Sequence, residues 1–350
     1  MTAPIRTLSA IRAESKSRLR LHFPYTFGPA YHRVMAVGSG VVWAIGVGAH
    51  VPPATELLKS TDGGATYTSV IDFGKGIRVV HVTPQGSVLV GVGDQWDTLE
   101  ICELHRSTDG ATFTKIMDFV DGGLVWWNID SDPEGYVFCS EYGTKAYPNN
   151  ARKIYRSTND GATFSMIYDP DPVENYHNHG ILIDPYDYNV IYQSIGDAGN
   201  RTILKSTDRG NTWTAPVGLV GYQPTSGVVF KDYILWAKEV SPMGALKHDK
   251  TTDTVTQCLE VAGVGSPYFT MMARNVAYIA FPATGDYGTA QLYMTRDVGG
   301  TWSLVKEWEQ PYVGSGRSLG NLVQYDDDYG FVFHGAPTEY YGSIKFKLFA

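Results

Sequence analysis

Short apolar runs separated by polar turn residues recur along almost the whole chain. Some are nearly continuous, such as Val41–Val47 and Ser87–Val92, and others alternate, such as Tyr67–Phe73. Runs of this length, rich in β-branched and aromatic residues and bounded by Gly, Asn and Asp, predict strands. A short helix is expected only at Ala10–Leu19. The pattern therefore predicts an all-β protein built from many short strands.

One turn sequence recurs between these strands, and we call it the Asp turn. Its pattern is Ser/Thr-x-Asp-x-Gly-x-Thr-aromatic, preceded in most copies by Lys or Arg. The second copy is one residue shorter, and the third has Asn159 in the Asp place. The copies are Lys59–Tyr67, Arg106–Phe113, Arg156–Phe164, Lys205–Trp213 and Met294–Trp302, with a worn relative at Lys247–Thr254.

The spacing of the turns predicts the architecture. Their first Ser or Thr residues fall at 60, 107, 157, 206, 251 and 295, which is 44 to 50 residues apart. A period of this size with four strands per unit is typical of propeller blades. The last unit lacks one strand, and Leu19–Phe23 is the candidate to complete it, because an unpaired edge is a liability.

We therefore predict a seven-bladed β-propeller of four-stranded antiparallel blades, closed by an N-terminal strand. Six blades is the alternative, if the weak fifth unit is an insertion. The domain division follows: residues 1–24 form a basic arm plus the closing strand, and residues 25–350 form one propeller.

The Asp turn itself is predicted to be structural. Its carboxylate can accept hydrogen bonds from backbone N–H groups of its own turn, as Asn can too. A calcium loop would need several carboxylates at alternate positions, and each copy offers one. The residues assigned this role are Asp62, Asp109, Asn159, Asp208 and Asp297. Since the turn joins the third and fourth strands, ligands are expected on the opposite face, which we call the mouth.

These turns resemble the Asp-box, or bacterial neuraminidase repeat, of sialidase-like propellers. The resemblance implies the fold but no single activity, because such repeats occur in hydrolases, lyases, receptors and assembly factors. Tyr31-His32-Arg33-Val34 stands where sialidases have Phe/Tyr-Arg-Ile-Pro, but the proline is absent and no acid/base Asp is evident nearby. Sialidase activity is therefore not predicted.

Composition narrows the function classes. The net charge of −8 argues against nucleic-acid binding. Three cysteines are too few for a disulfide scaffold, no Cys/His cluster suggests zinc, and no cofactor motif is present. No apolar run is long enough for a membrane span, and the N-terminus lacks a secretory signal, so synthesis in the cytoplasm is expected. The arm carries Arg6, Arg12, Lys16, Arg18 and Arg20 against Glu14, which leaves two alternatives: a disordered leader before the closing strand, or an arm that docks the protein to a larger assembly.

The mouth loops hold the candidate chemistry. His177-x-His179-Gly180 follows Glu141-Tyr142 by one blade, and alternate strand residues face the same way. The histidines could serve acid/base catalysis, hold a metal, or be structural, and the sequence leaves these open. Arg201 completes the catalytic candidates. Aromatic and polar mouth residues suit sugars, and the candidate ligand-binding set is Trp96, Asp97, Trp127, Lys145, Asp197, Arg317, His334 and Tyr340.

Two functional hypotheses follow. The first is a glycan-recognising propeller in a larger assembly, such as a virion-associated phage tail or receptor-binding protein. The alternative is a carbohydrate-active enzyme. A glycoside hydrolase would pair Glu141 with Asp197 or Asp94 across the bond, and a polysaccharide lyase would use His177, His179, Tyr142 and Arg201. A protein-binding scaffold is a third, weaker hypothesis.

Overall fold

The computed structural model contains seven antiparallel sheets arranged as the blades of one propeller. It describes residues 25–27, 32–46, 54–93, 102–119, 122–125, 127–142, 153–169, 177–196, 201–283, 289–309, 319–336 and 340–348. Within this part of the chain there is no helix with the length and hydrophobicity that crossing a bilayer requires.

Each blade takes its strands in chain order, except that blade seven is completed from the N-terminal side, and the first strand of each blade lies innermost. Blade one comprises β2 (His32–Gly38), β3 (Val41–Gly46), β4 (Glu56–Ser60) and β5 (Thr68–Asp72). Blade two comprises β6 (Ile77–Val82), β7 (Val88–Val92), β8 (Cys102–Ser107) and β9 (Thr114–Phe119). Blade three comprises β10 (Ile129–Ser131), β11 (Val137–Ser140), β12 (Ile154–Ser157) and β13 (Ser165–Tyr168).

The remaining blades follow the same order. Blade four comprises β14 (His177–Ile183), β15 (Ile191–Gly196) and β16 (Thr202–Ser206), and a bridge between Lys205 and Thr214 stands for its fourth strand. A short 3₁₀ turn, Val217–Leu219, leads to blade five: β17 (Pro224–Val229), β18 (Tyr233–Lys238), β19 (Gly244–Asp249) and β20 (Thr254–Glu260). Blade six comprises β21 (Phe269–Ala273), β22 (Val276–Phe281), β23 (Thr289–Thr295) and β24 (Ser303–Glu309). Blade seven comprises β25 (Leu319–Gln324), β26 (Tyr329–Ala336), β27 (Tyr340–Lys347) and β1 (Tyr25–Phe27).

The ring is closed by a strand from the N-terminal side, as predicted. β1 pairs antiparallel with β27, Tyr25 opposite Phe346 and Phe27 opposite Ile344. The predicted closing segment, Leu19–Phe23, lies outside the described residues, and the described strand that closes the ring is Tyr25–Phe27. The fifth unit is a complete blade, so the seven-bladed prediction is confirmed and the six-bladed alternative is wrong.

The core lies between neighbouring sheets and is densest at the second strands. Every residue of β7, β15 and β22 is buried. β7 and β22 are continuous apolar runs in the sequence, whereas β15 also buries the polar residues Gln193 and Ser194, and both faces of each strand are covered by adjacent blades. The outermost strands are less covered: in β5 no residue is fully buried, and Thr68, Ser69 and Asp72 are exposed. Hydrophobic burial between blades is therefore the main force that holds the ring together.

The Asp turn folds around its carboxylate. In the first copy, Asp62 Oδ1 accepts the N–H groups of Ala65 at 3.0 Å and Thr66 at 2.9 Å, and Oδ2 accepts the Thr66 hydroxyl at 2.6 Å. These hydrogen bonds hold the pKa of Asp62 well below its usual range. Asn159 makes the same bond to the N–H of Thr163 at 3.0 Å, and its amide donates to the hydroxyl of that residue. The substitution thus preserves the turn.

The glycine of each turn touches the preceding blade. A Cβ at Gly110 would lie 3.2 Å from Trp43 on β3, and one at Gly161 would lie 3.0 Å from Leu89 on β7. Gly64, Gly210 and Gly299 meet the second strands of their preceding blades in the same way, at Phe331, Phe138 and Leu235. The left-handed backbone of these glycines, for example φ 88° at Gly64, also excludes most side chains.

In five places among the described residues, a basic residue on the third strand of one blade donates to the turn of the next blade, and we call this contact the clasp. Arg106 Nε donates to the carbonyl oxygen of Asp160 at 2.7 Å, and its Nη2 donates to Asp160 Oδ2 at 3.0 Å. Arg156 donates to the carbonyl of Arg209 at 2.7 Å. Longer contacts of the same kind run from Lys59 to Gly110, from Lys205 to Lys250 and from Lys345 to Gly63.

Blade five has ion pairs where blades one to four and blade six have the Asp turn. This explains why its turn sequence, Lys247–Thr254, departs from the Asp-turn pattern. Asp249 still accepts the N–H groups of Thr251 and Thr252, both at 2.9 Å. Lys250, however, reaches back to Asp184 Oδ2 of blade four at 2.5 Å. Asp253 binds Lys205 at 2.9 Å and the buried His248 at 3.1 Å. At the junction between blades four and five, ion pairs therefore add to the apolar contacts of Tyr192 and Ile203 with Trp236.

Candidate functional site

Most of the mouth lies outside the described residues. Five of the predicted site residues belong there: Trp96, Asp97, Lys145, Asp197 and Arg317. Three more, His177, His334 and Tyr340, have strand backbones, and their side chains are not described. The predictions that concern these eight residues stay predictions. The described members of the set are Trp127, Glu141, Tyr142, His179 and Arg201.

The structure brings three of the described residues into one cluster at the mouth ends of β10, β11 and β14. The rings of Trp127 and Tyr142 meet edge to face with centroids 5.9 Å apart. Tyr142 in turn stacks on His179 at 6.2 Å. The predicted meeting of Tyr142 with His179 from the next blade is thus present, and Trp127 joins them as a neighbour.

The imidazole of His179 is held firmly by blade five. Its Nδ1 lies 2.9 Å from the carbonyl oxygen of Pro224, and because a carbonyl only accepts, Nδ1 carries the proton. Its Nε2 lies 3.8 Å from Glu239 Oε2. The residue is only 1% exposed, so a ligand would meet it through neighbouring groups.

Two glycines make room for this arrangement. A Cβ at Gly180 would lie 2.2 Å from the carbonyl oxygen of Thr225, which shows how closely β14 approaches β17. A Cβ at Gly196 would lie 2.1 Å from the ring of His179. His179, Gly180 and Gly196 therefore all have packing roles at the junction of blades four and five.

Glu141 is completely buried. Its Oε1 accepts the hydroxyl hydrogen of Tyr155 at 2.9 Å, and its backbone N–H donates to the carbonyl of Lys153 at 3.0 Å. Burial and the nearby charge of Glu141 raise the pKa of the Cys139 thiol well above its usual range. In this position the carboxylate contacts protein groups rather than the open mouth, which favours a positioning role.

Arg201 lies just before β16, on the outer part of blade four. Its carbonyl oxygen accepts the N–H of Gly221 at 2.7 Å. Among the described residues no hydrogen bond or ion pair joins its guanidinium to the His179 cluster. The described residues also contain no group of three His, Cys, Asp or Glu side chains that could hold a metal ion.

Three residues that no sequence motif marks complete the cluster from blades five and six. Tyr268 donates its hydroxyl hydrogen to Glu239 Oε1 at 2.5 Å, and Gln223 Nε2 donates to Glu239 Oε2 at 3.3 Å. Tyr268 also stacks on Trp127, with centroids 5.0 Å apart and planes 13° from parallel. Since Trp127 belongs to blade three and Tyr268 to blade six, this stack crosses the propeller axis. Their place in the mouth loops is the only signal that the sequence offers.

We define the mouth cluster as Trp127, Tyr142, His179, Gln223, Glu239 and Tyr268. Glu239 has a side chain 20% exposed and Tyr268 is half-buried, so these two are accessible from the mouth. The cluster combines a flat aromatic pair with a hydrogen-bonded carboxylate at the centre of the propeller. Such a site can bind a ligand that has both apolar and hydroxyl-bearing faces.

Comparison with known proteins supports the fold. No family model matches the sequence, and no curated protein resembles it significantly. Among solved structures, the GH74 xyloglucanase from Xanthomonas campestris matches with a TM-score of 0.64 and 12% identity over 92% of this chain. The chain spans about half of that enzyme, 53% of its length.

Two further structures match along nearly their whole length. YCF48 from Cyanidioschyzon merolae has a TM-score of 0.60 and 12% identity, covering 93% of this chain and 98% of its own. YCF48 bound to D1 peptide has a TM-score of 0.59 and 14% identity, covering 94% of this chain and 95% of its own. At these identities the similarity shows the propeller fold alone. The structural neighbours include a glycoside hydrolase and a propeller that binds a peptide.

Proposed function

We propose that this protein is a glycan-recognising propeller that binds carbohydrate at its mouth. The observation that supports this most is the mouth cluster, where the carboxylate of Glu239 stands beside the stacked rings of Tyr268 and Trp127. A pyranose has apolar faces that suit an aromatic ring and hydroxyls that suit a fixed carboxylate. We also infer that the Asp turns are Asp-boxes, since their hydrogen bonds and pattern fit that repeat.

Glu239→Gln is the variant that tests this proposal. Gln keeps the shape and the acceptor for Tyr268 but removes the charge. Because hydrogen bonds to charged groups contribute about 1.5–3 kcal/mol, we expect glycan affinity to fall about tenfold or more. Glu307→Gln, on the outermost strand of blade six, is the matched control and should bind normally. A polysaccharide panel screened by glycan array and then calorimetry provides the measurement. Equal affinity of Glu239→Gln and the control would contradict the proposal.

The same panel separates binding from catalysis. A carbohydrate-active enzyme is the alternative, and it is favoured by the proximity of His179 Nε2 to the carboxylate of Glu239, 3.8 Å. New reducing ends would indicate a glycoside hydrolase, and absorbance of unsaturated sugars would indicate a polysaccharide lyase. Binding without either product supports the binding propeller.

We further propose that the propeller belongs to a larger assembly, such as a phage tail, through the basic arm of residues 1–24. The support is the concentration of positive charge in the arm on a chain whose net charge is −8. A chain that lacks residues 1–17 should fold and bind glycan normally but fail to enter the particle. Mass spectrometry of purified particles, with full-length and shortened chains supplied together, measures incorporation. Equal incorporation of the two chains would exclude docking through the arm.

A further inference from the structure

The axis of the propeller contains a cavity of about 570 Å³ that lies on the Asp-turn side of the mouth cluster and shares Trp127 and Tyr268 with it. The first strands of all seven blades contribute to its wall, from Met35 on β2 to Leu322 on β25. Trp127 and Tyr268 bound it towards the mouth, and its other end reaches the turns at Pro84 and Pro133 on the Asp-turn face. The volume is within the range of small-molecule sites, which is about 300–1,000 Å³.

The wall is mostly apolar, and its formal charges are all negative. Among the described residues that line it there is no lysine or arginine, and the carboxylates are those of Asp130 and Asp132. His81 bonds Ser131 Oγ through Nε2 at 2.7 Å, and burial lowers its pKa to about 4, so it is neutral at pH 7. Arg33 lies over the ring of Phe269, which starts β21 at the mouth end, 5.9 Å from its centroid. The Asp-turn half of the cavity therefore has a negative potential.

The two carboxylates can accept more hydrogen bonds than the described residues donate to them. Asp130 accepts one N–H at each oxygen, from Ser131 and Ile183, both at 2.8 Å, and each oxygen has a second acceptor position. Burial raises the pKa of Asp130 to about 6, as expected for a carboxylate without a cationic neighbour. Asp132 is only 1% exposed, and its Oδ2 accepts no hydrogen bond from the described residues.

Blade four shows how the fold neutralises an equivalent carboxylate. Asp184 precedes a proline in the turn after the first strand of its blade, as Asp132 does in blade three. Asp184 Oδ1 accepts the N–H of Tyr186, and Oδ2 binds the ammonium group of Lys250 at 2.5 Å. In blade three, the corresponding residue of the next blade is Arg209, which instead binds Glu134. Blade three thus has the same carboxylate without the ammonium group.

We propose that the central cavity binds an organic cation, namely a primary ammonium on an unbranched apolar stem. The ammonium group donates to Asp130, and the negative charge of Asp132 behind it adds attraction. The stem lies along the apolar wall that includes Ile181 and Met272. Asp130 is only half-buried and therefore accessible from the cavity, whereas Asp132 acts through its field.

Hexylammonium is the probe that tests this, with hexanol and hexanoate as ligands of similar stem and different charge. Calorimetry at pH 7 should show saturable binding of hexylammonium and at least about tenfold weaker binding of the other two, because the charge-assisted hydrogen bond is lost. Asp130→Asn keeps an acceptor for the N–H of Ile183 and should weaken the binding of hexylammonium about tenfold. Asp118→Asn, an exposed carboxylate on β9, is the control and should leave binding unchanged.

Three results would each overturn the proposal. They are no saturable binding of hexylammonium, equal affinities for hexanol and hexylammonium, and an unchanged affinity of Asp130→Asn for hexylammonium. Thermal unfolding shows whether the variant is folded, and its midpoint should fall little, because Asn keeps the acceptor for the N–H of Ile183 and loses the one for the N–H of Ser131. Nα-acetyl-lysine N-methylamide, which keeps the ε-ammonium group, distinguishes the two sources of such a cation. If it binds as tightly as hexylammonium, the natural ligand is a lysine side chain of a partner protein. If it binds more weakly, the natural ligand is a free amine.

Discussion

Gly196→Ala should destabilise the protein by about 3 kcal/mol, the upper part of the usual range for overpacking. The new Cβ would lie 2.1, 2.3 and 2.7 Å from three atoms of the His179 ring. That ring cannot move aside without losing its hydrogen bond to Pro224 and its stacking on Tyr142. Urea unfolding followed by far-UV circular dichroism measures the loss.

The chain supplies its own control for this substitution. Gly46 ends the second strand of blade one as Gly196 ends that of blade four, and a Cβ at Gly46 would meet no atom of the described residues within 4 Å. Gly46→Ala should therefore change the free energy of unfolding by no more than about 0.5 kcal/mol. Equal effects of the two substitutions would show that the contact with His179 is not the cause.

Removing the imidazole ring of His179 should relieve the clash with the new Cβ at position 196. His179→Ala alone leaves a cavity and a Pro224 carbonyl without its donor, so it destabilises the protein. In the double variant the alanine at position 196 occupies space that the imidazole has left. We expect the combined loss to be clearly smaller than the sum of the two single losses. Strict additivity would contradict the proposed contact.

This junction illustrates what the sequence can predict and what it cannot. The seven blades follow from a local pattern that repeats, because each blade must bury the same faces against its neighbours. The mouth cluster has no such repetition. Tyr268 and Trp127 are far apart in the sequence and meet only because blades six and three face each other across the axis. No periodicity marks Gln223 or Glu239, so the structure is needed to bring them together.

A closing strand from the N-terminal side was predicted and is confirmed, and its described residues are Tyr25–Phe27, while the predicted segment Leu19–Phe23 stays a prediction. Pairing with β27 decides its position, and that partner lies at the other end of the chain. The clasp was visible as a recurring Lys or Arg before Ser, but its acceptor was not. That acceptor lies about one blade later, for example at Asp160 for Arg106.

The clasp leads to the second large prediction, that Arg106→Met should destabilise the protein by roughly 2–3 kcal/mol. Arg106 donates to the carbonyl and carboxylate of Asp160 and, at 2.8 Å, to Ser87 Oγ. Both charged side chains are less than one-fifth exposed, so water can replace these bonds only in part. Met is a fair substitute, because blade six has Met294 at the same place. Urea unfolding again provides the measurement.

An exposed ion pair serves as the control for this prediction, and a variant of Asp160 tests the contribution of the ion pair in the clasp. Lys115 pairs with Asp118 at 3.1 Å, but their side chains are 48% and 45% exposed, so Lys115→Met should cost less than about 1 kcal/mol. Asp160→Asn keeps a residue type that tolerates the left-handed backbone, φ 57°, while removing the charge. If the ion pair contributes to the clasp, Asp160→Asn should cost less in the Arg106→Met background than in the natural protein. Equal costs in both backgrounds would mean that the blades are joined at this point by apolar packing and the carbonyl bond alone.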